Sequence, residues 1–218
     1  MNESIEAEKR LAAEAAAGLV EAGMRVGLGT GSTVAQLLPA LAARGLEISC
    51  VATSPATEVA ARTLGLRLEP FEQIDRLDLA IDGCDQVSPE GWLVKGAGGA
   101  HTREKVVAAA ADRFLVIADS SKLVKRIAAP IPLELHRFGL AATLRELGAV
   151  ELREAEATPD GGVLASYIGE VENPVVLAMR LAAVPGVVEH GLFAPALVSE
   201  VLIGRGGRVD RLQLTSGS

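Results

Sequence analysis

Short apolar runs alternate with segments of helical spacing along the first 130 residues. Apolar runs of this kind are typical of strands in a parallel sheet, because helices cover both faces of such a sheet. The alternation therefore predicts an α/β fold with a mostly parallel sheet flanked by helices. The predicted strands are 24–28, 48–53, 77–81, 92–94 and 114–118, and the predicted helices are 4–22, 33–44, 56–64 and 103–111.

The order of elements changes after Pro130 and Pro132. A β-α-β-β-α-β order follows, which is typical of a small ferredoxin-like α+β domain. Its strands are predicted at 131–135, 150–154, 163–168 and 187–190, and its helices at 139–147 and 174–183. The chain is then expected to return to the large sheet, with final strands at 198–203 and 209–214. We draw the domains as 1–130 plus 204–218 for the large one and 131–203 for the small one.

The composition and the cysteine pattern exclude several classes of protein. Hydrophobic residues make up 49% of the 218, which is ample for a packed core and excludes a disordered chain. The formal net charge is −7 and six residues are aromatic, so no nucleic-acid partner is expected. The sequence has no run of 18 apolar residues and no signal-type leader, so we expect a cytoplasmic protein without a membrane span. Cys50 and Cys84 form no C-x-x-C motif, so no zinc site is expected.

Four polar clusters lie where predicted strands end. In a doubly wound sheet, ligands bind outside the carboxyl ends of the strands, so we expect these clusters to converge. The first contains Thr30, Gly31, Ser32 and Thr33 within the glycine-rich segment 27–33. This segment is neither a dinucleotide fingerprint nor a Walker A loop. Its N–H groups and hydroxyls suit a small phosphate, and a simple helix N-cap is the alternative.

The second cluster holds two carboxylates three residues apart, Asp82 and Asp85, with Gly83 and Cys84 between them. Repulsion between carboxylates in a cleft raises the pKa of at least one of them. Such a pair suits proton transfer to or from sugar hydroxyls. A magnesium site or a solvated turn fits this segment equally well, so the segment by itself leaves all three open.

The third and fourth clusters contain Lys95 and Lys122, two of only five lysines beside 16 arginines. A lysine at such a position can hold a phosphate or an oxyanion. Glu104 lies about one turn into the helix that follows Lys95, where a glutamate is also simply favoured by the helix dipole. For Lys122, the alternative to a phosphate contact is that it merely lies at the start of a surface helix. Three small residues directly after Lys95 permit close approach of a ligand: Gly96, Ala97 and Gly98.

Taken together, the four clusters resemble ribose-5-phosphate isomerase of the A type. That family shows G-x-G-T-G-S-T, D-G-A-D-E, K-G-x-G-G-A-x-x-x-E-K and A-D-x-S-K segments in this order. The chain matches them at 27–33, 82–86, 95–105 and 118–122, and the similarity continues at 185–188 and 191–193. It departs at Cys84, where the family usually has Ala, and at Gln86, where it usually has Glu.

The resemblance implies reversible conversion of D-ribose 5-phosphate to D-ribulose 5-phosphate in the non-oxidative pentose phosphate pathway. It also implies a Rossmann-like large domain, a smaller α+β domain and assembly as a homodimer or homotetramer. By the same resemblance, Glu104 is the base that moves a proton between C2 and C1 through an enediolate. Asp82 and Asp85 handle hydroxyl protons, and Lys95 holds negative charge. Neither a cofactor nor a metal is implied.

The resemblance further implies a substrate-binding set around these four residues. Its members are Thr30, Gly31, Ser32, Thr33, Gly83, Cys84, Gly96, Ala97, Gly98 and Lys122. Two other classes of protein remain as alternatives. A sugar-phosphate-binding module of a transcriptional regulator needs the phosphate loop but not Glu104 beside Lys95. A CoA transferase-like enzyme uses a glutamate as its nucleophile on a related fold.

Overall fold

The computed structural model describes residues 2–213. Residues 214–218, and with them the last residue of the predicted strand 209–214, lie outside the described part. Among the described residues, no helix is long and apolar enough to cross a membrane. The helices of residues 2–213 are α1 (Asn2–Ala17), α2 (Ser32–Ala42), α3 (Pro55–Thr63), α4 (His101–Ala109), α5 (Leu140–Leu147) and α6 (Pro174–Ala182).

Within residues 2–213, the strands follow the predicted order, with three short additions. The strands are β1 (Arg25–Leu28), β2 (Ser49–Ala52), β3 (Arg67–Leu68), β4 (Leu79–Gly83), β5 (Gln86–Val87), β6 (Leu93–Val94), β7 (Phe114–Asp119), β8 (Ile131–Leu135), β9 (Val150–Leu152), β10 (Val163–Tyr167), β11 (Val187–His190), β12 (Leu192–Phe193), β13 (Glu200–Arg205) and β14 (Arg208–Gln213). The additions are β3, β5 and β12.

The predicted α/β architecture is confirmed. Within residues 2–213, seven strands form one sheet in the order β14-β13-β7-β4-β1-β2-β3. All neighbouring pairs in it are parallel except β13 and β14. Helices cover both faces because successive side chains of a strand point to opposite sides. On β7, Leu115 and Ile117 pack with residues of α1 and α2, whereas Phe114 and Val116 pack with residues of α4.

The small sheet has the predicted β-α-β-β-α-β order. Its strands are antiparallel and lie in the order β11-β8-β10-β9, the arrangement of a ferredoxin-like unit. Helix α6 begins where the sequence contains a cap. Asn173 accepts hydrogen bonds from the N–H groups of Val175 and Val176, and Pro174 occupies the first helical position, where no N–H is needed. Leu177 and Leu181 of this helix are buried against the small sheet.

The boundary drawn after residue 203 falls inside β13. Residues 200–204 pair in parallel register with residues 115–119 of β7, so residues 200–203 belong to the large sheet and not to the small domain. The reason is burial, since Glu200 and the next four residues are all buried in this strand. The backbone N–H and C=O groups of a buried strand need hydrogen-bond partners on both of its edges. For β13 these partners are β7 on one edge and β14 on the other.

A second difference concerns the predicted strand 92–94. It does not join the parallel sheet but forms β6, the middle strand of a three-stranded antiparallel sheet with β5 and β12. The sequence pattern missed this sheet because two-residue strands are too short to show a periodicity. Its position matters for function. β6 ends at Val94, and the N–H group of the next residue, Lys95, donates a hydrogen bond to the Gly191 carbonyl beside β12.

Candidate active site

A cleft of about 200 Å³ opens at the carboxyl ends of β1, β4 and β7. This is the position expected for ligand binding in an open parallel sheet. All of the residues predicted for the site line this cleft, except Asp82. The lining residues are Thr30, Gly31, Ser32, Thr33, Gly83, Cys84, Asp85, Lys95, Gly96, Ala97, Gly98, Glu104 and Lys122.

Asp82, the predicted site residue that does not line the cleft, lies within a strand and not in a loop. The strand predicted at 77–81 is displaced by two residues to β4, which places Asp82 opposite Val116 in the sheet. Its Oδ1 atom accepts hydrogen bonds from the N–H groups of Thr30 at 3.1 Å and Gly83 at 2.6 Å. A Cβ atom on Gly29 would lie 1.9 Å from this carboxylate. Glycine at position 29 therefore makes room for Asp82.

Lys95 is buried among acceptors. Its Nζ atom lies 2.7 Å from the Gly83 carbonyl, 2.9 Å from Asp82 Oδ2 and 3.0 Å from Glu104 Oε2. The contact with Gly83 is a hydrogen bond donated by the ammonium, and the two carboxylates are ion-pair partners. The two carboxylates outweigh the cost of burial and raise the pKa of Lys95, which keeps the side chain charged. The Phe193 ring lies beneath it, with 5.4 Å between Nζ and the ring centroid.

Glu104 lies in the first turn of α4, and 5% of it is exposed. Burial raises its pKa to about 7, repulsion from Asp82 adds to the rise, and Lys95 opposes it. Its Oε2 atom has no well-aligned hydrogen-bond donor among the described residues, although it forms the ion pair with Lys95. A buried carboxylate with a pKa near neutrality and an unfilled acceptor position is suited to accept a proton.

Asp82 shares this buried environment but differs from Glu104 in its bonding. Burial raises the pKa of Asp82, while Lys95 and the two backbone N–H groups oppose the rise. Its hydrogen bonds fix the carboxylate in place, and it does not line the cleft. The two carboxylates are equally buried, with 4% of the Asp82 side chain and 5% of the Glu104 side chain exposed. They differ in bonding: Asp82 accepts two backbone hydrogen bonds and contacts Lys95, whereas Glu104 lines the cleft and keeps an oxygen without an aligned donor.

Asp85 and the loop after Lys95 form a second wall of the cleft. The Asp85 Oδ2 atom accepts a hydrogen bond of 2.9 Å from the N–H group of Ala97. From the opposite side, the Arg153 guanidinium donates hydrogen bonds to the carbonyls of Gly96, at 2.8 Å, and Ala97. Arg153 follows β9 of the small sheet, so this wall is held jointly by the two sheets.

The other end of the cleft is built from hydroxyls and N–H groups. Helix α2 begins at Ser32 and has no acidic residue in its first turn, so its positive end faces the cleft uncompensated. Gly31 precedes it with φ +114°, a conformation that favours glycine. Lys122 ends the short turn after β7, which Glu8 fixes by accepting hydrogen bonds from Ser120 N at 3.0 Å and Oγ at 2.6 Å. This end suits an anion.

The two departures from the family pattern have separate explanations. Cys84 lines the cleft, and burial raises the pKa of its thiol to about 12, so it remains a neutral small side chain. Gln86 does not line the cleft. Its amide donates to the Ala128 carbonyl at 2.8 Å and accepts from the Ala128 N–H group at 2.9 Å. An ionised glutamate could accept but not donate, so this pairing explains an amide at position 86.

The sequence left a magnesium site open at Asp82 and Asp85, and the structure bears on this alternative. Within residues 2–213, His, Cys, Asp and Glu side chains form no group of three or more that could hold a metal ion. The Oδ2 atom of Asp82 contacts the ammonium group of Lys95. A positive charge of the protein itself therefore lies beside Asp82.

A larger cavity of about 560 Å³ lies on the outer side of α4. Arg62 and Arg103 reach its rim, but each is paired with a carboxylate, Glu58 and Asp160 respectively. None of the residues predicted for the site lines this cavity. Its size alone does not make it the functional site.

Three residues around the site were not singled out as functional from the sequence. Arg153 is one of 16 arginines and carries no local signal. Lys105 belongs to the third segment, but its Nζ atom points away from Glu104 and pairs with Glu189 at 2.7 Å. It lies over the Phe193 ring, 4.9 Å from the centroid, so that one buried ring packs against two ammonium groups. The similarity at 191–193 was the only signal for Phe193.

Comparison with known proteins identifies relatives along most of the chain. The family model described as ribose 5-phosphate isomerase A (phosphoriboisomerase A) matches residues 49–207. The ribose-5-phosphate isomerase A of Caulobacter vibrioides is 44% identical, in an alignment that covers 96% of this chain and 99% of the relative.

Two solved structures are similar over the same extent. That of ribose 5-phosphate isomerase A from Methanocaldococcus jannaschii has a TM-score of 0.89 and 31% identity, covering 94% of this chain and 97% of the other. A D-ribose-5-phosphate isomerase in complex with phospho-erythronic acid has a TM-score of 0.90 and 31% identity, covering 96% and 99%.

Proposed function

This chain belongs to the ribose 5-phosphate isomerase A family, and we propose that it interconverts D-ribose 5-phosphate and D-ribulose 5-phosphate. The observation that carries the proposal is the contact of Glu104 with Lys95 at the base of a cleft whose other end suits an anion. Aldose-ketose isomerisation needs a base beside a site that stabilises an oxyanion. It is a step of the non-oxidative pentose phosphate pathway.

The cleft orients a phosphosugar by its two ends. The phosphate binds at the start of α2, to Thr30, Gly31, Ser32 and Thr33, and to the ammonium of Lys122. This places C1 and C2, at the other end of the substrate, toward Glu104. A phosphorylated sugar-like ligand is supported by a related isomerase that was solved in complex with phospho-erythronic acid.

Proton transfer then proceeds through an enediolate. In the open-chain aldose, Glu104 removes the proton from C2, and the electron pair forms a double bond between C2 and C1 with negative charge on O1. A proton moves from O2 to O1, and Glu104 returns its proton to C1, which leaves the carbonyl at C2. Asp85, which lines the cleft, carries the hydroxyl protons in this step and in ring opening. No electrons leave the substrate, so the reaction requires no redox cofactor.

Lys95 and Asp82 have different roles in this scheme. Because Lys95 forms an ion pair with Glu104, its charge first stabilises the ionised form of Glu104. When Glu104 accepts the proton, the ammonium becomes available to the negative oxygen of the enediolate. Asp82 holds Lys95 in place throughout. We assign Asp82 this positioning role, and not direct contact with hydroxyl protons, because its carboxylate is already engaged by Lys95 and by the N–H groups of Thr30 and Gly83.

Assembly and location complete the proposal. We expect a homodimer or homotetramer, because large apolar side chains are exposed on the small α+β unit, including Phe138 at 88%, Met179 at 70% and Val176 at 61%. Light scattering after gel filtration tests this.

The two cysteines, Cys50 and Cys84, are free thiols, as expected for a protein of the reducing cytoplasm.

The activity itself is tested with the purified chain and D-ribose 5-phosphate, with D-arabinose 5-phosphate as a comparison that differs only at C2. The forward reaction is followed as formation of D-ribulose 5-phosphate and the reverse reaction as its conversion to D-ribose 5-phosphate. Both reactions are repeated in D₂O. We expect conversion of the ribose ester with incorporation of deuterium at C1 or C2. Absence of conversion, or conversion through a hydride shift without any solvent deuterium, would overturn the proposal.

A further inference from the structure

The Arg153 guanidinium is directed at backbone carbonyls rather than at a carboxylate. It donates to the carbonyls of Gly96 and Ala97, the two residues directly after Lys95. Among the described residues, no carboxylate oxygen lies within 4.0 Å of it, in contrast to Arg103, which pairs with Asp160 at 2.7 Å. Its positive charge therefore remains uncompensated directly behind a wall of the cleft.

The two hydrogen bonds determine which way the peptide groups of this wall face. In a trans peptide the C=O and N–H bonds point in opposite directions, and the one cis bond of the described residues is at Pro130. The Gly96 carbonyl points to Arg153, and the N–H group of the same peptide, that of Ala97, points to Asp85. The Ala97 carbonyl also points to Arg153. The next N–H group, that of Gly98, therefore points away from Arg153, and Gly98 is one of the residues that line the cleft.

We propose that Arg153 is a positioning residue of the isomerase, which orients the peptide groups of Gly96–Gly98 so that their N–H bonds support Asp85 and donate to an oxygen of the substrate. The inference rests on the proposed function. Its physical reason is that Lys95 is shared: Gly83 and Asp82 contact that ammonium throughout, and Glu104 gives up its part only on taking up the proton. Negative charge developing on the substrate is therefore better stabilised with a further donor. A backbone N–H held in place beforehand costs no reorganisation when the charge forms.

The position of Arg153 also links the two sheets. It directly follows β9 of the small sheet, whereas the loop that it holds leads from Lys95 into α4 and Glu104. A purely structural bridge between the sheets would act on stability and not on the chemical step. The two roles can therefore be separated by measuring kcat, KM and thermal stability on the same variants.

The test uses Arg153→Lys and Arg153→Ala, with Arg145→Ala as the matched control. Arg145 is an exposed arginine of α5 in the same small unit. We expect Arg153→Ala to lower kcat by about 100-fold, the usual effect of losing one oriented oxyanion donor, with a smaller change in KM. Arg153→Lys, which can keep one of the two hydrogen bonds, is expected to lose about tenfold. Guanidinium ion at low millimolar concentration is expected to restore activity to Arg153→Ala but not to change Arg145→Ala.

The outcomes separate this inference from the proposed function. Wild-type activity in Arg153→Ala, or a loss that tracks only the unfolding temperature and is not rescued by guanidinium, overturns the role of Arg153. If Arg153→Ala does not fold, Arg153→Lys decides, and an unchanged kcat in that variant overturns it. If the wild type does not isomerise the ester, the proposed function fails. In that case, binding of phospho-erythronic acid still tests Arg153, because its carboxylate needs the same donors, and equal affinity of wild type and Arg153→Lys overturns the inference.

Discussion

The Nζ atom of Lys95 lies 3.0 Å from the Oε2 atom of Glu104, and both side chains are buried. Asp82 contacts the same ammonium at 2.9 Å, so one positive charge is shared by two carboxylates. Burial disfavours the remaining net negative charge, and the cluster takes up a proton more readily than an exposed carboxylate does. This sharing explains why the pKa of Glu104 rises to about 7, which is useful for a base that works at neutral pH.

Replacing Glu104 by Gln is expected to lower kcat by between about 10² and 10⁴, because the amide cannot accept the C2 proton. The fold should persist, since the side chain keeps its size and its contact with Lys95. The measurement is the rate of ribulose 5-phosphate formation together with the unfolding temperature. Glu146→Gln, at an exposed position of α5, is the control and should retain wild-type activity. A rate for Glu104→Gln within tenfold of the wild type would show that another group is the base.

The pH dependence of kcat/KM should reflect the ionisation of Glu104. Activity requires the carboxylate, so kcat/KM should rise with pH up to about 7 and then level off. Asp82→Asn removes a neighbouring negative charge, so the pKa of Glu104 should fall and the acidic limb should move to lower pH. The substrate phosphate also titrates, near pH 6, but a change in the enzyme cannot move that pKa. A limb that stays in place in Asp82→Asn would falsify the assignment.

Lys122→Gln should weaken substrate binding more than it slows the chemical step. A charge-assisted hydrogen bond to phosphate is present in both the bound substrate and the transition state, so its loss raises KM by about tenfold with a smaller change in kcat. Lys125→Gln is the matched control, because Lys125 is exposed and does not line the cleft. Inhibition by inorganic phosphate should weaken in parallel with KM. Equal KM values for the two variants would contradict a phosphate contact of Lys122.

His190 should make the protein less stable in acid. Its Nδ1 atom accepts a hydrogen bond from the Leu192 N–H group and lies 3.3 Å from Lys105 Nζ. Burial, with the Lys105 charge in addition, lowers its pKa to about 4 from the ordinary value of 6.5. Because the folded state binds the proton more weakly than the unfolded state, stability is fully present above pH 6.5 and is lost as pH falls toward 4. The loss is about 1.4 kcal/mol per pH unit at its steepest.

The measurement for His190 is urea unfolding of the wild type and His190→Asn at about pH 7.5 and about pH 5. Asn offers an acceptor oxygen near the position of Nδ1 but does not titrate. The variant should be less stable than the wild type at the higher pH, and the difference should shrink at the lower pH. His101 is buried and has a lowered pKa as well, but it is present in both proteins and cancels in the comparison. A difference in unfolding free energy that does not change with pH would exclude the effect.

The part of the fold that the sequence predicted is the part with long, periodic elements. The strands 131–135 and 187–190 were placed to the residue, and the alternation of apolar runs and helices identified the parallel sheet. The errors fall where elements are short or where burial overrides pattern. The two-residue strands β5 and β12 have no periodicity, and β4 was displaced so that Asp82 lies in the sheet.

In the site, too, part of the arrangement could be predicted from the sequence and part could not. The sequence by itself determined which residue types meet, because loops at the carboxyl ends of parallel strands converge wherever the sheet forms. Only the tertiary structure decided the roles within that set: that Lys95 lies between Asp82 and Glu104, that Glu104 lines the cleft while Asp82 does not, and that Arg153 holds the loop between them. The physical reason is that burial, distance and hydrogen-bond direction control pKa and reactivity. These quantities depend on contacts between residues far apart in the chain, which no local pattern records.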